Sequence, residues 1–298
     1  LYNKETMDLF YERHWFPQLQ DLVNRYKPDL IWADGPDQIN DKQWQAERTL
    51  AWLYSESPVK DSIVVNDRWA NNTGKKHGDY YTREYSNTNS SYNKPWEEWR
   101  GIGLSFGYNQ NEDLGDYTSP KALILTLVNI VSQGGNLLLD IGPNANGKIP
   151  PIMQERLLQI GKWLKVNGEA IYGTRAWGNF CQWSKGSKEW KSKEKHYVSG
   201  DAILKQTVDP DPGYAVKEVF FTKKGNNVYA ILPRYPKNKI VLKDIQTTGR
   251  TKITLLGSDK KVQWKQKGND IEVIMPLLYV DELPCDYAWV LKLEKISE

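Results

Sequence analysis

The chain has 298 residues, 39% of them hydrophobic and 26% charged, so it can bury a sizeable core and falls outside the disordered and fibrous classes. Forty Lys and Arg against 37 Asp and Glu leave a net charge of +3, too balanced for a nucleic-acid binder. Two cysteines (Cys181 and Cys285) and three scattered histidines (His14, His77 and His196) offer neither a disulfide framework nor a metal-ligand cluster, so no metal and no cofactor are expected; no run of about 18 apolar residues exists to span a membrane.

From Lys4 to Tyr26 the apolar residues Met7, Leu9, Phe10, Trp15, Phe16, Leu19, Leu22 and Val23 recur at helical spacing, and Pro17 inside that pattern predicts a kink or two abutting helices. Leu30 to Asp34 reads as a buried strand that runs straight into a carboxylate and Gly35. Asp41 to Tyr54 is expected to be a helix, and Ile63 to Val65 a short strand ending in "NDRW", Asn66 to Trp69. A polar, Gly- and Asn-rich loop leads to "YYTREY" (Tyr80 to Tyr85) and then "PWEEWRGIGLSFGYN" (Pro95 to Asn109), with Glu97 and Glu98 placed at the start of a possible helix. An apolar helix over Ser119 to Ser132, a turn and strand in "GGNLLLDIGP" and an amphipathic helix over Pro150 to Val166 follow. Those glycines precede the strand and no Lys-Ser/Thr follows, so this is not a phosphate loop, and Asp140 at the strand's end reads as structural.

Short apolar strands alternating with helices signal a parallel sheet. After Gly173 the texture changes: "EVFFTKKGNNVYAILP" is two strands around a Gly-Asn turn, and "KITLLG", "VQWKQ", "DIEVIMP" and "YAWVLKLEKI" continue as half-buried strands. The basic segment Ser184 to Lys195 reads as a solvated loop or edge hairpin. The fold class is therefore α/β, a (β/α)8-like barrel over residues 1–173 followed by an all-β sandwich over 174–298. A whole barrel normally takes about 250 residues, so the chain is expected to carry only the barrel's C-terminal portion.

In a barrel, residues at the C-terminal ends of strands face the active site. Asp34 stands there, with Trp32 on the same face by two-residue alternation. Arg68 follows the next strand, Glu84 lies among Tyr80, Tyr81 and Tyr85, and Glu97 and Glu98 lie between tryptophans. Two carboxylates beside aromatic platforms suit glycoside hydrolysis: one attacks the anomeric carbon or activates water, the other protonates the leaving oxygen. From spacing alone, Asp34 reads equally well as a capping or salt-bridge residue, and most of the 13 Trp as core.

"YKPDLIWADG" with "SPVKDSIVVNDRW", "HGDYYTREY", "GLSFGYNQNE", "VSQGGNLLLDIGPNANGKIP" and "QERLLQIGKWLKVNGEAIYGT" resembles the alpha-L-fucosidases of glycoside hydrolase family 29, in the order and spacing of blocks from Tyr26 to Trp177. The resemblance implies a retaining exo-glycosidase that removes terminal alpha-L-fucose from an oligosaccharide or glycoconjugate, without a cofactor. It puts the nucleophile on Asp34 and sugar contacts on Trp32 and Arg68. The acid/base falls on Glu84 by the "T-x-E-Y" stretch, with a Glu near Glu97 and Glu98 the assignment in other branches. The family's first barrel strands, with their fucose-binding histidines, have no counterpart here. Another retaining barrel glycosidase, or a carbohydrate-binding relative without turnover, stands as the alternative. The resemblance favours an extracytoplasmic location and leaves oligomer formation open.

Overall fold

The structure, a computed structural model, describes residues 4–35, 38–85, 94–192 and 202–297; His196 and the end of the basic segment lie outside them. Cα proximity divides the chain into two units: residues 1–84 with 92–97, and residues 85–91 with 98–298.

In the first unit, α1 (Lys4–Phe10) runs through a π turn at Tyr11–Trp15 into α2 (Phe16–Tyr26). Pro17 follows the π turn directly inside this continuous helical run, where its missing N–H leaves a carbonyl of the preceding turn without its helical bond, so the irregularity expected at Pro17 is the wide turn just before it. β1 (Leu30–Ile31) pairs in parallel with β2 (Val64–Val65), in the register Leu30↔Val64 and Ile31↔Val65. Between them α3 (Ala46–Ser55) starts later than its periodicity suggests, because Gln45 adopts a left-handed φ of 52° and Asp41 to Gln45 form turns. Val23, Ala46, Leu53, Val59, Ile63, Val65 and Trp69 form the core of this unit. Ile31 packs against it, whereas alternation turns Leu30 away to 48% exposure. β1 is thus shorter and less buried than the sequence suggests.

β3 (Tyr81–Glu84) lies beside the start of β4 (Trp96–Gly101), where the Tyr81 N–H donates to the Pro95 carbonyl at 3.0 Å. Glu97 and Glu98 therefore lie in a strand and not at a helix start: burial alternates Trp96 in, Glu97 half-buried, Glu98 in, which is a period of two.

In the second unit α4 (Pro120–Ser132) is capped by the Ser119 side chain, which accepts from the Ala122 N–H, and is followed by β5 (Gly135–Asp140) and α5 (Pro151–Asn167). β6 (Arg175–Trp183), β7 (Lys217–Lys224), β8 (Asn227–Leu232), β9 (Lys239–Leu242), β10 (Thr247–Leu255), β11 (Gln263–Lys267), β12 (Asp270–Ile274) and β13 (Trp289–Ile296) then build two antiparallel sheets. Their orders are β10-β13-β8-β7-β6 and β11-β12-β9. The β7–β8 hairpin turns at Gly225, whose φ of 56° suits a residue without a side chain. Alternation along β7 gives the larger sheet two apolar faces. Val219 and Phe221 join the core that includes Leu242, Ile271 and Val273 of the smaller sheet. Phe220 faces the other way, into a cluster with Ile124, Leu125 and Val128 of α4 and Trp163 of α5. This second face is why Cα proximity groups α4 and α5 with the sandwich.

Candidate active site

The exit of β1 and the "NDRW" segment fold against one another. The Gly35 N–H donates to the Arg68 carbonyl at 2.6 Å, and a Cβ at Gly35 would collide with the Trp69 carbonyl, so the Asp-Gly pair lets the two backbones meet. Trp69 is buried, and its indole N–H donates to the Asn66 carbonyl at 2.8 Å. The Thr73 hydroxyl accepts from the Trp69 and Ala70 N–H groups. A folded segment held this way carries Arg68 outward as a rigid element.

Five of the site residues weighed from the sequence, Trp32, Asp34, Arg68, Glu84 and Glu97, sit in this unit, and Asp34, Arg68, Trp32 and Glu97 connect in a chain. Arg68 Nε donates to Asp34 Oδ1 at 3.1 Å. The Arg68 guanidinium lies 5.8 Å from the centre of the Trp32 ring. Trp32 Nε1 donates to Glu97 Oε1 at 2.5 Å, a contact across 65 residues of sequence. Asp34 is the most exposed of the group, its side chain 58% accessible against 27% for Arg68. Glu84 is half-buried at the end of β3, on the same face as Thr82, while Tyr81 and Arg83 point into the interior.

Glu97 is a perturbed carboxyl. Burial pushes its pKa upward, the Trp32 N–H and the Tyr80 hydroxyl pull it partly back, and the Asp67 charge raises it again. Tyr80 is itself buried, and burial and then the Glu97 carboxylate raise its pKa. Glu98 has a different setting. It is fully buried in the second unit and paired with Arg100, so its charge has a structural partner. Asp140 stands at the end of β5 with its pKa raised by burial.

Asn66, Asp67 and Tyr80 are site residues that no single motif pointed to. The run "NDR" offered the signal, since an amide and a carboxylate directly before the Arg in a segment leaving a buried strand must find buried partners. The structure brings Asp41, Glu47 and His77 together, with one ligand atom from each within 4.8 Å of the others. Such a donor set could hold a divalent cation, although 36 residues separate Asp41 from His77 and the sequence predicts no cluster. Its present contacts are those of a loop clamp: Asp41 Oδ1 accepts from Asn72 Nδ2 and the Lys42 N–H, both within 2.9 Å, and Glu47 is exposed. The second unit has a cleft of about 410 Å³ lined by Gln182, Arg234, Lys239 and Lys243 among others, but its lining has a single carboxylate, Glu218.

Comparison with known proteins identifies the family. Residues 2–169 match the family model described as Alpha-L-fucosidase, and residues 214–294 match Alpha-L-fucosidase C-terminal domain. The chain is 40% identical over 285 residues to the tissue alpha-L-fucosidase of Homo sapiens, covering 94% of this chain and 54% of the relative. It is 38% identical over 288 residues to the plasma alpha-L-fucosidase of Rattus norvegicus, covering 94% and 56%. The crystal structure of Thermotoga maritima alpha-fucosidase in complex with a mechanism based inhibitor superposes with a TM-score of 0.69 at 31% identity, over 98% of this chain and 57% of that one. A Thermotoga maritima alpha-L-fucosynthase in complex with alpha-L-Fuc-(1-2)-beta-L-Fuc-N3 superposes with a TM-score of 0.67 at 30% identity, over 98% and 56%. The chain spans about half the length of the curated relatives it matches. With the strand-and-helix order of a (β/α) barrel leading into a β-sandwich, and with both family models matched in sequence order, the chain belongs to the alpha-L-fucosidases of glycoside hydrolase family 29.

Proposed function

We propose that this protein hydrolyses terminal alpha-L-fucose from oligosaccharides or glycoconjugates with retention of configuration. The observation that carries the reading is the Asp34–Arg68–Trp32–Glu97 chain of contacts at the exit of β1, in a member of this family. Asp34 attacks the anomeric carbon, and the bond to the leaving oxygen breaks as Glu84 gives that oxygen its proton. The resulting fucosyl ester on Asp34 is hydrolysed by a water whose proton returns to Glu84. Arg68 steadies the Asp34 carboxylate and Trp32 offers a flat apolar edge to the sugar. Residues 1–173 supply the barrel portion of this site and residues 174–298 the sandwich. Besides water, the scheme calls for no cofactor.

A second assignment of the acid rests on one observation. Glu97 touches Trp32 directly and holds its proton to higher pH than an ordinary glutamate, which is what a general acid requires. A plasma relative supports reading the protein as extracytoplasmic, and no helix among the described residues is long and apolar enough to cross a membrane. Asp34→Gly tests the function. Turnover should fall on the order of 10⁴-fold, as for loss of a covalent catalyst, and azide should restore consumption of an activated fucoside, giving beta-fucosyl azide. A variant that keeps more than about a tenth of the wild-type rate removes Asp34 from the mechanism.

A further inference from the structure

Asn66 and Asp67 are buried away from solvent, yet each holds the backbone beside a proposed catalytic carboxylate. The backbone ladder between β1 and β2 ends at Ile31↔Val65. One residue further on, the side chain of Asn66 replaces it. The Ala33 N–H donates to Asn66 Oδ1 at 2.9 Å, and Asn66 Nδ2 donates to the Ala33 carbonyl at 2.7 Å. The amide thus satisfies both polar groups of the residue directly before Asp34. Asn66 is itself fully buried, and its carbonyl is held by the Trp69 indole. A Cβ on Gly78, whose φ is 102°, would run into that same carbonyl, so the loop closes tightly over it.

Asp67 does the equivalent for β3. Its Oδ1 accepts from the Thr82 N–H and from the Thr82 hydroxyl, both at 2.8 Å, and its Oδ2 accepts from the Lys75 N–H at 2.8 Å. It is 1% exposed, and three donors satisfy a carboxylate that burial would otherwise penalise. Thr82 lies two residues before Glu84 on the same strand and face. Arg68, next in sequence, binds Asp34 itself.

We infer that Asn66 and Asp67 are positioning residues that set the two halves of the reaction separately: Asn66 fixes Asp34 through Ala33, and Asp67 fixes Glu84 through Thr82. This rests on the proposed fucosidase mechanism with Glu84 as the acid. It adds that consecutive residues of one segment align nucleophile and acid/base. Pre-organised groups held to fractions of an ångström are what catalysis requires, and a displacement of about 1 Å can cost on the order of 10²-fold.

The experiment compares Asn66→Asp and Asp67→Asn on two substrates, 2,4-dinitrophenyl alpha-L-fucoside and an unactivated fucosyl disaccharide. Asn66→Asp keeps the shape and the acceptor but cannot donate to Ala33. Asp67→Asn keeps the bond to Thr82 but turns an N–H toward that of Lys75. A displaced nucleophile slows fucosylation of the enzyme whatever the leaving group. Asn66→Asp should therefore lose on the order of 10²-fold in kcat/KM on both substrates. A displaced acid matters only when the leaving oxygen needs its proton. Asp67→Asn should lose a similar factor on the disaccharide and under about fivefold on the dinitrophenyl fucoside. The ratio between substrates does not depend on how much of each preparation is folded, so a merely structural role for Asp67 would leave it unchanged. For Asn66, whose loss falls on both substrates, the rate constant for covalent labelling by 2-deoxy-2-fluoro-alpha-L-fucosyl fluoride, measured on the fraction that reacts, is equally independent of the folded fraction and should fall on the order of 10²-fold. Wild-type turnover and its loss in Asp34→Gly test the underlying function by themselves. The positioning claim is overturned for Asp67 if Asp67→Asn impairs the two substrates equally, and for Asn66 if Asn66→Asp is labelled with the wild-type rate constant.

Discussion

Arg68→Ala separates the site's chemistry from the stability of the fold. Arg68 Nε and Asp34 Oδ1 are 3.1 Å apart, with the two side chains 27% and 58% exposed. At that separation Coulomb's law gives about 1 kcal/mol in a water-like dielectric, and ion pairs this exposed contribute about 0–1 kcal/mol to folding. Removing Arg68 should therefore change the unfolding free energy by less than about 1 kcal/mol. Bound substrate changes the balance. With a sugar ring excluding water, the same pair at an effective dielectric of about 20 is worth about 5 kcal/mol before desolvation is subtracted. Loss of one pre-organised donor at a reacting charge typically costs on the order of 10²–10³-fold in rate. The assay is kcat/KM on 4-nitrophenyl alpha-L-fucoside beside thermal unfolding of the same preparation. Arg68→Lys should fall between wild type and Ala, because the ammonium keeps the charge but not the planar fork over Trp32. Activity within threefold of wild type in Arg68→Ala, or a collapse of the fold, would refute the reasoning.

Other outcomes follow from the same geometry. If Glu84 is the acid, Glu84→Ala should cripple hydrolysis of natural fucosides, spare the first step on dinitrophenyl or fluoride substrates, and flatten the basic limb of the pH profile; Glu97→Ala carrying that pattern instead would move the acid to β4. In the sandwich, Glu272 accepts from Lys239, Lys265 and Lys267 at 2.8 to 3.2 Å, and the hydrogen bonds, led by Lys267, hold its pKa down to about 2. A depressed carboxyl stabilises the fold above its ordinary pKa and loses that contribution as pH falls from about 4.5 toward about 2. Glu272→Gln should remove this stretch of acid sensitivity in urea titrations, and an unchanged pH dependence would show that the cluster contributes nothing.

Much of the fold was legible because its elements carry clean periods. α4 is strongly apolar behind a Ser-Pro cap, and β7 and β8 flank a Gly-Asn turn. β6 was not legible: "RAWGNFCQW" has no sustained alternation, and its register shifts between Ala176 and Cys181 and again between Gln182 and Trp183. Glu97 was legible as a candidate but not as a partner of Trp32, since strand periodicity in "PWEEW" competes with the helical reading of adjacent glutamates before Arg100. The roles of Asn66 and Asp67 depend on which backbone groups lack ladder partners, and that becomes visible only when β1, β2 and β3 are in place. The Asp41, Glu47 and His77 cluster was hidden for the same reason, being set by a loop closing on a helix start.

The central claim is that Asp34 forms a covalent bond to fucose. Incubating the protein with 2-deoxy-2-fluoro-alpha-L-fucosyl fluoride, followed by proteolysis and mass spectrometry, tests it directly. The slow substrate should leave one fluorofucosyl adduct, on the peptide containing Trp32, Asp34 and Gly35, with fragmentation placing it on Asp34. An adduct on any other carboxylate, or early product released as beta-fucose with no adduct at all, would contradict it.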